Sequence, residues 1–210
     1  VFRGAFEDRL VEQAPCAVLR VKAAKARSHA SLARAAYPSN LPNEGKNDSR
    51  RLPRDPEFHL GDLLARVEIL AGSTIRNKNQ LFKALAEGFE ESYGKELPSV
   101  EDALWQREKK QLTALGHGVA VPHVTLDSLD RTYLEIWILD EGVDFKDTRK
   151  ELVNVVFAVY ASPGARRLHL RTLARIGRLV LLPDFLPLLR ACESEAQVRE
   201  LIRAHEDELK

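Results

Sequence analysis

The residue of this sequence best placed for chemistry is a histidine that directly follows a short glycine-containing segment. Residues 116–123 read Gly-His-Gly-Val-Ala-Val-Pro-His. Pro122 lacks a backbone N–H and favours an extended Val121, so we expect His123 at the end of a strand and not within a helix. An imidazole titrates close to neutral pH and can act as a nucleophile or a general base. From this spacing alone, His123 is either a site residue or a histidine of a surface loop.

The segment around His123 does not resemble a nucleotide-binding loop. Gly116-x-Gly118 lacks the third glycine of the dinucleotide fingerprint, and an extended Val-Ala-Val follows where that fingerprint requires a helix. The sequence also contains no glycine-rich loop that ends in Lys-Ser or Lys-Thr. We therefore expect any phosphoryl group handled by this chain to arrive from another protein.

The overall composition favours a cytoplasmic protein without a direct role at nucleic acid or membranes. The 210 residues contain 32 Lys and Arg against 31 Asp and Glu, a net charge of +1, which creates no field that would recruit nucleic acid or anionic lipid. The apolar runs are shorter than the roughly 20 residues that span a bilayer. Two cysteines, Cys16 and Cys192, cannot form a four-ligand zinc site by themselves and favour buried thiols in a reducing cytosol.

The distribution of charge and proline divides the chain into three parts. Residues 1–22 are predicted to form one helix and one strand, which cannot bury each other in isolation. Residues 23–56 are predicted to be a basic linker that contains prolines; from Arg20 to Pro56 there are nine basic residues against three acidic ones. Residues 57–210 carry the dense hydrophobic periodicity of a folded domain.

Within the last part, helices precede strands and further helices follow. The spacing of Leu60, Leu63, Leu64 and Val67 predicts a short helix. The periodicity predicts further helices over residues 78–93, 99–110, 168–182, 185–192 and 195–205, with Ser99 and Ser194 as caps, and strands over 119–121, 133–139 and 152–160. This order predicts an α/β fold in which helices cover both faces of a sheet.

The segment from Trp105-Gln-Arg-Glu-Lys-Lys to Thr113-Ala-Leu-Gly-His-Gly-Val-Ala-Val-Pro-His resembles the active-site segment of a known family. That family is the enzyme IIA component, fructose/mannitol type, of the bacterial sugar phosphotransferase system, which includes a nitrogen-regulatory branch. Asp130-Arg, Glu141-Gly-Val-Asp-Phe and Arg167-Leu-His-Leu follow in the family's order, so the resemblance covers about residues 58–210. It implies a mixed β-sheet sandwiched between helices on both faces.

The resemblance also implies roles for particular residues. It makes His123 the phosphorylated histidine, Arg107 the active-site arginine and His169 the second active-site histidine. The expected phosphate-site support comes from Gly116, Gly118 and Thr113, with His117 as a possible accessory group. An arginine suits this chemistry, because its planar donor fork matches the oxygens of a phosphoryl group. The resemblance implies no cofactor and no metal.

Three functions are consistent with these features. The first is a phosphohistidine carrier, regulatory in role, which accepts a phosphoryl group on His123 from a histidine-phosphorylated carrier protein. The second is a non-catalytic module that regulates a transporter, channel or kinase; it is motivated by residues 111–117, which depart from the family's pattern. The third is a metal site formed by His117, His123 and either Asp127 or Asp130. The first two imply protein partners, and none of the three involves nucleic acid.

The first residues of the chain show a second, shorter resemblance. Phe6-Glu-Asp-Arg-Leu followed by Ala14-Pro-Cys-Ala-Val-Leu is similar to the last helix and strand of a universal stress protein domain. Gly4-Ala5 stands where that family has a Gly-Ser or Gly-Thr pair that contacts nucleotide. Since the family's phosphate loop has no counterpart here, we do not expect nucleotide binding.

Overall fold

The computed structural model describes residues 58–72, 74–93, 100–146 and 150–209. The predicted helix and strand of residues 1–22 and the predicted linker 23–56 therefore lie outside the described residues, as do Cys16 and the predicted cap Ser99. The division of the chain into three parts stays a prediction.

The described residues form one mixed sheet. Its strands are β1 (Leu64–Leu70), β2 (Ala114–Gly116), β3 (Val119–Ala120), β4 (His123–Thr125), β5 (Tyr133–Asp144) and β6 (Leu152–Ala161). The order across the sheet is β1-β5-β6-β3-β2, and β4 also pairs with β6. Strand β1 is parallel to β5, and β5 is antiparallel to β6. Strands β3 and β4 run parallel to β6, and β2 runs antiparallel to β3.

Helices cover both faces of this sheet. They are α1 (Lys78–Tyr93), α2 (Val100–Lys110), α3 (Arg166–Val180), α4 (Phe185–Arg190) and α5 (Glu195–Glu208). Alternate side chains of a strand point to opposite faces. On β5, Trp137 and Leu139 pack in the core formed with α1 and α2, whereas Ile136 and Ile138 are buried on the other face. The predicted fold, a mixed sheet between two helical layers, is confirmed.

The prediction of a helix over residues 60–67 is wrong. A single 3-10 turn over Leu60–Asp62 leads directly into strand β1. The apolar spacing fits a helix, but Arg66, Val67 and Glu68 also alternate as a strand does. Strand β1 pairs with β5 from Leu64 to Leu70, with an irregularity between Leu64 and Arg66 and a continuous register after it. Pairing with a buried neighbouring strand outweighs the local preference of the segment.

The remaining predicted helices and strands agree with the structure to within a few residues at most ends, although β5 continues five residues beyond its predicted end at 139. The short strands β2 and β4 were not predicted. The hydroxyl of Ser194 accepts a hydrogen bond from the backbone N–H of Gln197 at 3.4 Å, as predicted for the cap of α5. Cys192 is buried, and its Sγ lies 3.4 Å from the carbonyl oxygen of Leu188. Within the described part of the chain, no helix combines the length and apolar composition needed to cross a bilayer.

A buried carboxylate joins the last helix to the beginning of the described chain. Glu206 on α5 is fully buried and accepts the backbone N–H of Leu60 at 2.9 Å and 3.0 Å through its two oxygens. Arg175 on α3 donates to the same carboxylate at 3.0 Å. These donors compensate for the cost of removing the charge from water.

A second buried carboxylate, Glu135 on β5, is less well compensated. The indole N–H of Trp137 donates to one oxygen at 3.1 Å, whereas the other oxygen is buried without a hydrogen-bond partner among the described residues. Burial raises the pKa of Glu135 to about 7, and the Trp137 bond and the nearby Arg66 offset only part of this rise. The folded chain therefore holds a proton on Glu135 more tightly than an unfolded chain does.

We predict that Glu135→Gln makes the protein more stable than wild type above neutral pH. Glu135 of the unfolded chain ionises near pH 4.5, whereas the buried carboxyl of the folded chain ionises only near pH 7. Above pH 8 this pKa difference lowers the free energy of unfolding of the wild type by about 3 kcal/mol. Urea unfolding at pH 5 and pH 8 measures the effect, with exposed Glu200→Gln as the control. An equal dependence on pH in wild type and Glu135→Gln would contradict the prediction.

Candidate functional site

Three side chains predicted from the sequence meet at one place. Arg107 comes from the last turn of α2, His123 is the first residue of β4, and His169 lies in the first turn of α3. The Nε of Arg107 lies 2.9 Å from the Nε2 of His123. The rings of His123 and His169 have centroids 5.4 Å apart and planes inclined by 51°. The structure thus brings these three predicted residues together.

Hydrogen bonds to both ring nitrogens fix the tautomer of His123. Its Nδ1 lies 2.8 Å from the carbonyl oxygen of Val121, which can only accept, so Nδ1 carries the proton. The Nε of Arg107 can only donate, so the Nε2 atom that it contacts carries a lone pair. Both contacts select the same neutral imidazole.

The local fold explains why Val121 is available to the ring. Strands β3 and β4 pair with β6 in one continuous register, Val119 with Val155 and His123 with Val159. The chain between them contains Pro122, which cannot donate a ladder hydrogen bond. The backbone N–H of Val121 bonds instead to the carbonyl of Thr113 at 2.9 Å, and its own carbonyl turns to the imidazole.

Both imidazoles of the cluster are held neutral. Burial lowers the pKa of His123 below its ordinary value of 6.5, and the cation of Arg107 lowers it further, whereas the bond to Val121 acts in the opposite direction. Burial lowers the pKa of His169 to about 4, with additional contributions from His123 and Arg107. The Nδ1 of His169 is buried and has no hydrogen-bond partner among the described residues.

A surface cavity of about 410 Å³ opens beside the cluster. Its described lining is basic and polar and contains no carboxylate; it consists of Ala103, Gln106, Arg107, Lys110, His123, Val124, Thr125 and His169. Sequence analysis missed Gln106, Lys110 and Thr125. Lys110 was recognisable in principle, because the position three residues after Arg107 shares its face of α2. The arrangement suits an anion, since every ionic group of the described lining is a cation or an imidazole.

The structure does not bring Gly116, His117 and Gly118 to this cluster. These residues form the β2–β3 turn with positive φ values of 95°, 56° and 73°. Their hydrogen bonds lie at the end of the 116–123 segment that is remote from His123. Arg190 donates to the carbonyl of His117, and the carbonyl of Gly118 accepts from the backbone N–H groups of Asn154 and Val155. Five residues of mostly extended chain, roughly 16 Å, separate Gly118 from His123. The expected direct contact of this turn with a phosphoryl group has no support in this geometry.

Thr113, the third residue expected to support the phosphate site, has an indirect connection to it. The side chain is buried and does not line the cavity. Its backbone N–H and its hydroxyl both donate to Glu108, at 2.9 Å and 2.6 Å.

The described residues give no support to the metal-site alternative. Among them, no group of three or more His, Cys, Asp or Glu side chains could hold a metal ion. The distance along the chain between the His117 turn and His123 accounts for this result.

The mixed sheet between helical layers and the basic imidazole cluster at its edge define a class of domain, the EIIA domains of the sugar phosphotransferase system. The sequence model for the phosphoenolpyruvate-dependent sugar phosphotransferase system, EIIA 2, matches residues 62–205. The chain belongs to this EIIA type-2 family.

Nitrogen regulatory proteins are among the curated relatives that are similar in sequence to this chain. A nitrogen regulatory protein of Bradyrhizobium diazoefficiens is 38% identical over 130 residues, which cover 62% of this chain and 85% of that protein. The fructose-specific EIIABC component of Bacillus subtilis is 27% identical over 106 residues, 50% of this chain, but only 17% of that larger protein.

Solved structures show the same fold. The nitrogen regulatory protein IIA-Ntr of Neisseria meningitidis aligns with a TM-score of 0.62 at 23% identity, over 68% of this chain and 98% of that one. The IIA mannitol structure from Escherichia coli aligns with a TM-score of 0.51 at 25% identity, over 64% and 95%.

We predict that Gly118→Ala destabilises the fold without changing the pKa of His123. An added Cβ would lie 2.8 Å from Arg190 Nη2 and 2.9 Å from Asn154 Oδ1, at a φ of +73°. The strain and the displaced contacts should cost about 2 kcal/mol in urea unfolding. Gly177→Ala is the matched control, since apart from the backbone of its own helix and its chain neighbours nothing lies within 4 Å of its Cβ, and the helix interior favours alanine. A changed His123 titration in Gly118→Ala would show that the turn acts on the site after all.

We also predict the titration of the two imidazoles. NMR should find His169 titrating near pH 4 and His123 below 6.5, and Arg107→Gln should raise the pKa of both because it removes a nearby cation. Because both rings bind protons more weakly than in an unfolded chain, their contribution to stability is lost as the pH falls from 6.5 towards 4. Lys109→Gln, at an exposed position that does not line the cavity, is the control. Equal pKa values in wild type and Arg107→Gln would contradict the assignment.

Proposed function

We propose that this chain is a phosphohistidine carrier whose His123 accepts a phosphoryl group on Nε2 from a histidine-phosphorylated protein. The observation that carries the proposal is the state of this ring. The Nδ1–H of His123 donates to the carbonyl of Val121, so Nε2 carries a lone pair that faces Arg107. Both side chains line an open cavity whose described lining contains no carboxylate. A neutral imidazole with one defined lone pair is the form that can attack phosphorus.

The transfer step needs no redox partner and no proton movement. The Nε2 lone pair of His123 forms a new P–N bond while the P–N bond to the donor imidazole breaks. The donor ring carries a proton on its other nitrogen, so the electron pair of the broken P–N bond returns to the donor nitrogen and the donor leaves as a neutral imidazole. The Nδ1 proton of His123 stays in its bond to Val121 throughout, and the carbonyl oxygen of Val121 stabilises the positive charge that the ring carries after attack.

The neighbouring groups have separate tasks in this step. Arg107 moves from Nε2 to the phosphoryl oxygens, where its fixed charge stabilises the spread negative charge of the transition state. His169 remains neutral near pH 7 and can donate one ring N–H to another oxygen. Lys110 lines the same cavity and adds a second cation for the incoming group.

The comparisons support a regulatory version of this function. The 38% identical relative is a nitrogen regulatory protein, and the alignment covers 85% of that protein. A related structure shows enzyme IIA mannitol of Escherichia coli in complex with phosphorylated enzyme IIB mannitol. We therefore propose that phosphorylated proteins dock over the cavity, and that the regulated target is a transporter, channel or kinase. A cytoplasmic location is part of the same proposal.

Phosphorylation by a phosphoenolpyruvate-driven relay tests the proposal. We expect the wild type to gain one phosphoryl group by intact mass, in an acid-labile and alkali-stable form, and His123→Ala to gain none. Arg107→Ala should slow labelling by about 100-fold, since it removes the main charge that faces the transferring group.

His117→Ala is the matched control for this experiment. The substitution removes an exposed imidazole that lies six residues before His123, at the remote end of the 116–123 segment. Labelling of His117→Ala should therefore equal that of the wild type. Labelling that persists in His123→Ala would contradict the proposal. An unlabelled wild type would contradict it as well and would favour the non-catalytic interaction module.

A further inference from the structure

We propose that Glu108, a buried carboxylate outside the cavity, is a positioning residue that fixes the tautomer of His123 through a chain of hydrogen bonds. The consequence for phosphoryl transfer rests on the proposed function above, whereas the effect on the tautomer does not. Glu108 follows Arg107 directly on α2 and is only 4% exposed.

Three donors converge on Glu108 from two other parts of the chain. One carboxylate oxygen accepts both the backbone N–H and the hydroxyl of Thr113, at 2.9 Å and 2.6 Å. The other accepts the ammonium of Lys78, the first residue of α1, at 2.8 Å. The Lys78 ammonium is also nearly buried and donates to the carbonyl of Phe145 at 2.7 Å. This pairing compensates both buried charges.

The chain of bonds continues from Thr113 to the imidazole. The carbonyl of Thr113 accepts the backbone N–H of Val121 at 2.9 Å, and the carbonyl of Val121 accepts Nδ1–H of His123 at 2.8 Å. Val121 is therefore held at both of its polar backbone groups. When the Thr113 end is released, the Val121 carbonyl loses its orientation and the ring can place its proton on Nε2.

The segment that leads to Thr113 also orients Arg107. The Nη1 of Arg107 donates to the carbonyl of Gln111 at 2.9 Å, two residues before Thr113. Glu108 binds Thr113 and thereby fixes the end of the segment from Gln111 to Thr113. Both partners of the His123 ring, Val121 and Arg107, consequently depend on a segment that Glu108 anchors.

A carboxylate is required at this position because all three groups that face it are donors. Glutamine has the same shape but only one acceptor oxygen, and its NH₂ group would face either the Lys78 ammonium or the Thr113 donors. Glu108→Gln therefore preserves volume and removes the bond pattern. A charge buried for fold stability alone would not need to be connected to the imidazole.

Nitrogen-15 NMR of labelled histidine measures the tautomer directly, without any phosphoryl donor. We expect wild-type His123 to be the Nδ1–H form at pH 8, and Glu108→Gln to show a substantial Nε2–H population. Glu206→Gln is the matched control, since Glu206 is also a buried carboxylate that binds a backbone N–H and a cation, but far along the chain and away from the cavity lining. An unchanged His123 tautomer in Glu108→Gln would overturn the proposal, and so would an equal change in Glu206→Gln.

Substitutions of Thr113 test the same chain if Glu108→Gln folds poorly. Thr113→Val removes one bond to Glu108, while Thr113→Ser keeps the hydroxyl. We expect Thr113→Val to shift the tautomer and slow labelling of His123 by about 10-fold, and Thr113→Ser to restore both. If the wild type is never labelled, the carrier function fails while the tautomer still tests Glu108. If labelling occurs but the Thr113→Val and Thr113→Ser proteins behave alike, the role of the chain is refuted.

Discussion

The chemistry of this domain depends on one imidazole that is bonded at both nitrogens by groups with a single possible role. The carbonyl of Val121 can only accept a proton and the Nε of Arg107 can only donate one, so His123 has one neutral tautomer. Burial reinforces this state because it disfavours the imidazolium. The proposed carrier function uses this neutral ring, with its lone pair on a defined atom, as the nucleophile, and the cationic lining of the cavity attracts the anionic group.

The layered fold is what allows this geometry. Arg107 lies on a helix of the α1–α2 face, His169 lies on a helix of the opposite face, and His123 comes from the sheet between them. The cluster therefore forms only at an edge of the sheet, where both helical layers reach past the strands. This explains why neither Arg107 nor His169 has an evident role when its own segment is considered alone.

Sequence reasoning was most successful where a pattern is local. Helix α1 follows from its periodicity. The grouping of Arg107, His123 and His169 was predicted from the family resemblance, and the structure brings these three side chains together. Sequence reasoning was wrong for β1, because apolar spacing of three and four fits a helix until a partner strand is known. It placed Gly116, His117 and Gly118 at the site because they are close to His123 in sequence, whereas roughly 16 Å of mostly extended chain separates Gly118 from His123 in the structure. It missed Glu108, since no local signal shows that a glutamate between charged neighbours is buried.

The exposed residues that line the cavity are separate from the residues that hold His123. Gln106, Lys110 and Thr125 are exposed and belong to none of the bonds that hold His123, whereas Thr113 and Val121 are buried and carry those bonds. In the proposed function, the residues that would set the choice of partner are therefore separate from those that orient His123. Under the proposed function, substitutions at the three exposed positions can change which protein docks without altering the bonds that hold the His123 ring.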